Sequence, residues 1–232
     1  MTNKTAADSL PIVETYTKET TRLNINLLYS FMLKRIAKGY SSLDVSFLMG
    51  YSFDFIKSVE ELMQLGLDFV TNGLYLEALR DGDIGGILFN DFDKEGVARF
   101  ELIRTTHPEQ IIHEVYQLSN EDEKDNELVF KLFEQNWKYQ EFKNAQSCHN
   151  NRTVLSEFLA LLFAGTYFLT PKEPSSIFRR CQMVVDGDLK PYEVRGILFE
   201  MTKQKSFPKL RAKDRRDGLT FEKVFKTNTK SA

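Results

Sequence analysis

Residues 40–60 read YSSLDVSFLMGYSFDFIKSVE, and the folding of this stretch decides how the N-terminal part of the chain is read. Ser41 or Ser42 is placed to cap a short helix that runs through Met49. Asp44, three residues after Ser41, has the spacing of a capping box. Gly50 ends that helix, and Ser52 caps a second one from Phe53 to about Leu65. Upstream, LNINLLYSFMLKRIAKG carries Leu27, Leu28, Phe31, Met32, Leu33 and Ile36 at the spacing of an amphipathic helix that Gly39 stops. The expectation is a trihelical unit over residues 23–66 with tight glycine-containing turns.

Position by position this stretch resembles the helix-turn-helix of phage-repressor-type (Cro and lambda-repressor-like) regulators. The cap, the acidic residue, the small residue under the turn and the turn glycine fall on Ser41, Asp44, Ser46 and Gly50. The second cap, the aliphatic residue and the closing glutamate fall on Ser52, Ile56 and Glu60, with Val45, Met49 and Val59 as the apolar lock. The resemblance implies groove contact from Ser41, Ser42, Ser52, Phe53, Asp54 and Lys57. The outward turn SFDFIKS departs from the family, because Phe53 and Phe55 offer no hydrogen bonds and Asp54 is repelled by phosphates. A second reading therefore stands beside the first: a protein-interaction adaptor that keeps the shape and uses Phe53 and Phe55 as anchors.

The far end of the chain carries the other basic signal. From Lys203 to Ala232, ten Lys and Arg face only Asp214, Asp217 and Glu222, whereas acidic residues dominate from Glu77 to Lys143. TVLSEFLALLFAGTYF, SSIFRRCQMVV and KPYEVRGILFEMTKQ are expected as helices, the last opened by Pro191. FPKLRAKDRRDGLTFEKV is expected as a hairpin turning at Asp217-Gly218. This order over residues 152–226 resembles a winged-helix domain. The resemblance implies a third helix with Lys190, Tyr192 and Arg195 on its outer side, and a wing carrying Lys209, Arg211, Lys213, Arg215 and Arg216. Alternation along the first strand puts Lys209, Arg211, Lys213 and Arg215 on one face, a row suited to phosphates.

Between these regions, residues 67–146 form an acidic middle segment. GVARFELIRTT alternates as a strand, while HPEQIIHEVYQL and EKDNELVFKLFEQNWKYQEFKNA read as helices. Residues 1–22 are expected as a mobile polar tail and residues 227–232 as a second tail, so the fold class expected is mainly α with small β elements. No apolar run reaches the ~20 residues of a membrane span, and the N-terminus has no apolar core of a signal peptide.

Chemistry-bearing patterns are few. Cys148 and Cys181 have no CxxC spacing, as befits incidental thiols in the cytoplasm. His107, His113 and His149 do not make a metal pair, DGDIGG (81–86) lacks the Lys and Ser/Thr of a phosphate loop, and NDFDKEG lacks calcium-loop spacing. The expectations are a cytoplasmic DNA-binding transcription regulator, not an enzyme, with no cofactor or metal. Double-stranded DNA is its expected partner, a homodimer or protein partner is allowed, and the membrane is not involved.

Overall fold

The computed structural model describes residues 10–64, 67–80, 96–119, 125–138, 149–185, 188–215 and 218–226. Among these, seven α-helices and six strands form a mixed α/β protein, which corrects the mainly α expectation. Contacts divide the chain into two units. The first takes residues 1–42 and 56–146, the second residues 43–55 and 147–232.

The first unit is built on a four-stranded antiparallel meander. Strand β1 (Ile12–Thr21) pairs with β2 (Val97–Thr106), β2 with β3 (Gln110–Gln117), and β3 with β4 (Glu127–Gln135). The expected strand at Val97 is thus present. Ile12–Thr21, expected as part of a mobile tail, is instead an edge strand, and the two helices expected over HPEQIIHEVYQL and ELVFKLFEQ are β3 and β4.

The physical reason lies on the inner face of the sheet. Register aligns Glu14, Arg104, His113 and Leu132 across the four strands, and Tyr16, Leu102, Val115 and Phe130 in the next inward row. Arg104, His113 and Glu134 stand at buried, inward positions where a period-two pattern calls for apolar residues. On β3 and β4 the polar His113 and Glu134 take core slots, and this interrupts the alternation that announces a half-buried strand.

Helix α1 (Arg22–Ala37) covers this face. Thr21 caps it by accepting from the Asn24 N–H at 3.3 Å, and Gly39, at φ +65°, follows its end as expected. Ile25, Leu28, Phe31 and Met32 are its buried apolar residues, with the Tyr29 ring 5.1 Å from that of Phe130. Helix α2 (Ser42–Met49) and the short α3 (Phe55–Glu60) follow, and α3 ends well before the expected Leu65. Leu62, 1% exposed, adopts a left-handed conformation at φ +60° just beyond it. Helix α4 (Phe69–Leu79), capped by Asp68, sets the Tyr75 ring tilted against Phe31 at 4.6 Å and donates the Tyr75 hydroxyl to the Phe31 carbonyl at 3.0 Å.

Two adjacent carboxylates at the end of α3 have separate partners. Glu60 accepts from Arg35 Nε at 2.7 Å and Nη2 at 3.0 Å. Glu134 on β4 accepts from Arg35 Nη1 at 2.6 Å and Nη2 at 2.9 Å, and the Tyr40 carbonyl takes a further Nη1 donor at 2.7 Å. All five N–H groups of a guanidinium 1% exposed are thereby satisfied. The Nε2 of His113 lies 2.9 Å from Glu134, while its Nδ1 has no partner among the described residues. Next door, Glu61 accepts from Arg104 and from the Tyr16 hydroxyl at 3.0 Å, and Arg104 also holds Glu14 at 2.8 Å. Burial and the Glu61 hydrogen bond push Tyr16 up to about 12.

Burial alone would raise the Glu134 carboxyl, but Arg35 outweighs it, with His113 contributing, and holds it down to about 2 from an ordinary 4.5. The stability that Glu134 contributes is therefore present above about pH 4.5 and is lost as pH falls through about 2. For Glu60 burial is the largest influence, and its carboxyl is raised despite Arg35. Replacing Arg35 by Met strands two buried carboxylates, and urea unfolding near neutral pH is expected to show a loss of about 3–5 kcal/mol. Because stranded buried carboxylates favour protonation, the gap to wild type should narrow as the pH is lowered toward about 4. A gap that stays constant or widens would contradict the role assigned to Arg35.

Candidate nucleic-acid interface

The second unit runs helix α5 (His149–Ala164), a 3-10 turn (Tyr167–Leu169), α6 (Pro174–Gln182), α7 (Pro191–Thr202) and the hairpin of β5 (Lys209–Arg215) and β6 (Gly218–Val224). A further bridge pairs Lys172 with Phe221, so a short third segment borders β6 between α5 and α6. Helices form where the apolar spacing placed them, and Pro191 occupies the first turn of α7. Leu155, Leu159, Phe168, Ile177, Leu198 and Phe221 are among the core residues.

Residues 43–55 belong to this unit. Phe47 is fully buried with its ring 6.4 Å from Phe221, and Phe53 meets Phe199 on α7 edge-on at 5.6 Å. The carbonyl of Gly50 accepts from the Leu219 N–H at 2.6 Å, along the edge of β6 where the Lys172 bridge also lies. Gly50 and Gly218 both have positive φ, +75° and +111°, and a Cβ on Gly218 would stand 2.8 Å from the Gly50 oxygen.

The two units carry opposite net charge. Residues 43–55 and 147–232 hold 16 basic and 11 acidic side chains, a net +5, against 15 and 22, a net −7, in the rest. On β5, Leu210 is buried while Arg211 and Lys213 are exposed and Lys209 is half-buried, so these cations share the outer side as the alternation predicted. The Lys209 ammonium lies 5.1 Å from the Phe207 ring, and Arg211 pairs with Glu222 directly across the hairpin. The side chain of Arg215, and Arg216 altogether, lie outside the described residues. Two more cations, Lys172 and Arg180, flank the Tyr167 ring at 5.1 and 4.7 Å.

The remaining expected contacts are placed differently. Arg195 donates to Asp44 at 3.0 Å, and Lys190 pairs with Asp188 while its backbone N–H donates to Glu193 at 2.9 Å. Tyr192 is half-buried. Ser52, Phe53 and Asp54 lie exposed in the turn between α2 and α3. In the first unit, Ser41 is buried, Ser42 opens α2 half-buried, and Lys57 forms an ion pair with Glu61 at 3.4 Å. The division between the units thus falls inside the stretch that resembles a helix-turn-helix. Spacing alone gave no sign of the Asp44–Arg195 pair, whose members are 151 residues apart.

His107 and His113, expected on one helix, sit on either side of the turn that joins β2 to β3. Burial pushes the Cys181 thiol up to about 12, which makes it a poor nucleophile. The stretches DGDIGG and NDFDKEG and residue Cys148 lie outside the described residues, apart from Gly96. Among the described residues no helix is long and apolar enough to cross a membrane. No protein-family model, curated protein or solved structure matches the chain.

Gly218→Ala adds a methyl group that meets the Gly50 carbonyl and occupies a disfavoured backbone region. Thermal unfolding of the variant is expected to show a loss of roughly 1–3 kcal/mol. Unchanged stability would mean that the hairpin and the Gly50 turn are not held as described.

Proposed function

We propose that this chain is a cytoplasmic DNA-binding regulatory protein whose second unit grips duplex DNA through the phosphates. The observation that carries the reading is the outward row Lys209, Arg211 and Lys213 on β5, set in a unit of net charge +5. A strand that alternates a buried Leu210 with outward cations holds charge at fixed spacing, so little side-chain reach is needed to follow a phosphate backbone. The order of three helices, a bridging segment and a basic hairpin, which resembles a winged-helix domain, supports the same reading.

The adaptor reading draws less support. Phe53 is 42% exposed but packs edge-on against Phe199, and Phe55 stacks on Tyr51 at 4.3 Å, so both rings already have aromatic partners inside the unit. Phosphate contact is sequence-independent and strongly salt-dependent, which makes it directly measurable.

Fluorescence anisotropy of the full chain on random-sequence duplex DNA should show affinity falling steeply as salt rises. Exchanging Lys209, Arg211 and Lys213 together for Gln should weaken binding and flatten the log–log salt slope by roughly 2 to 3. A variant that binds with the wild-type slope would remove β5 from the interface.

A further inference from the structure

We infer that this protein holds duplex DNA by its backbone alone and does not read base sequence, because residues 43–55 occupy the side of α7 that would do the reading. The inference rests on the DNA-binding reading above and concerns what that binding can distinguish.

Base discrimination needs side chains that present donors and acceptors to base edges, most effectively as bidentate Arg, Lys, Asn or Gln. Helix α7, PYEVRGILFEMT, has a single cation, Arg195. Its guanidinium is 15% exposed and donates at 3.0 Å to Asp44, which is 3% exposed. A charge pair so enclosed does not exchange its carboxylate for a base edge without leaving Asp44 buried and uncompensated.

The other polar groups of α7 are also committed. Glu193 accepts from the Lys190 N–H at 2.9 Å, Glu200 pairs with Arg152 at 2.7 Å, and Thr202 donates to the Phe199 carbonyl at 2.8 Å. Tyr192 is half-buried and engaged. Phe199 is covered by Phe53. The exposed positions of the helix are Gly196, which has nothing to offer a base, and Glu200, which phosphates repel.

The segment that holds Arg195 is not a loose flap. Phe47 is fully buried within it, and the Gly50 carbonyl closes the β6 edge. Among the described residues, the cationic row of β5 stays open to nucleic acid, and phosphate contacts from such a row position a duplex but carry no sequence information.

The test uses the full chain and a selection from a random-sequence duplex library, followed by anisotropy on the enriched and the starting DNA. Enriched duplexes are expected to bind less than about tenfold more tightly than random ones, where specific recognition typically gives about 10³-fold or more. A selected sequence that exceeds tenfold overturns the inference.

The second arm is the neutral pair Asp44→Asn with Arg195→Gln, which keeps a hydrogen-bonding couple in place so that the unit stays folded. Its thermal transition is recorded beside that of the wild type. A folded double variant is expected to bind random duplex within about twofold of the wild type, since no phosphate contact has been removed. A fivefold or greater loss would show that Arg195 reaches DNA and would overturn the inference. Absence of binding even at about 50 mM salt would instead defeat the DNA-binding reading itself, and the inference with it.

Discussion

One buried arginine organises the first unit. Arg35 leaves α1 and satisfies its whole donor fork with Glu60 from the end of α3, Glu134 from β4 and the backbone carbonyl of Tyr40. Through Glu134 the network reaches His113 on β3. A guanidinium cannot be buried unpaired, and two carboxylates cannot be buried without a cation, so each element here is held by a charge it cannot afford to lose. Hydrophobic contact alone tolerates sliding, whereas a bidentate pair has one geometry. This fixes how the helices lie across the sheet.

The consequence extends to chain path. Glu60 and Glu61 are neighbours, yet one serves Arg35 and the other serves Arg104 and Tyr16. Helix α3 stops after six residues, and just beyond the two glutamates Leu62 turns left-handed. A helix continued to Leu65 would carry successive side chains about 100° apart around its axis, with no turn to seat Leu62 in the core. Local propensity favoured the longer helix, and the left-handed turn at Leu62 ended it.

In the second unit an analogous pair joins residues far apart in the sequence. Asp44, which the spacing placed in a capping box, closes on Arg195, which the resemblance placed toward DNA. The apolar pattern of α7 was legible because Val194, Ile197 and Leu198 recur at helical spacing and are buried as that spacing requires. The hairpin was legible because Asp217-Gly218 is a turn pair and the cations alternate on one side of β5. Nothing local announces that an acidic residue from the first fifth of the chain neutralises the one cation of α7.

The sequence by itself determined α1, α2, α5, α6, α7, the strand at Val97 and the basic hairpin. Each is specified by periodicity, a cap or a turn within about a dozen residues. Only the tertiary structure decided the four-stranded sheet and the state of the candidate DNA-facing residues. Strands β3 and β4 were hidden because His113 and Glu134 occupy inward positions as polar residues, and a polar residue enters the core only when its partner arrives from elsewhere in the chain. The pairing of Arg195 was illegible for the same reason: whether an arginine faces solvent or a carboxylate depends on a partner that no local pattern contains.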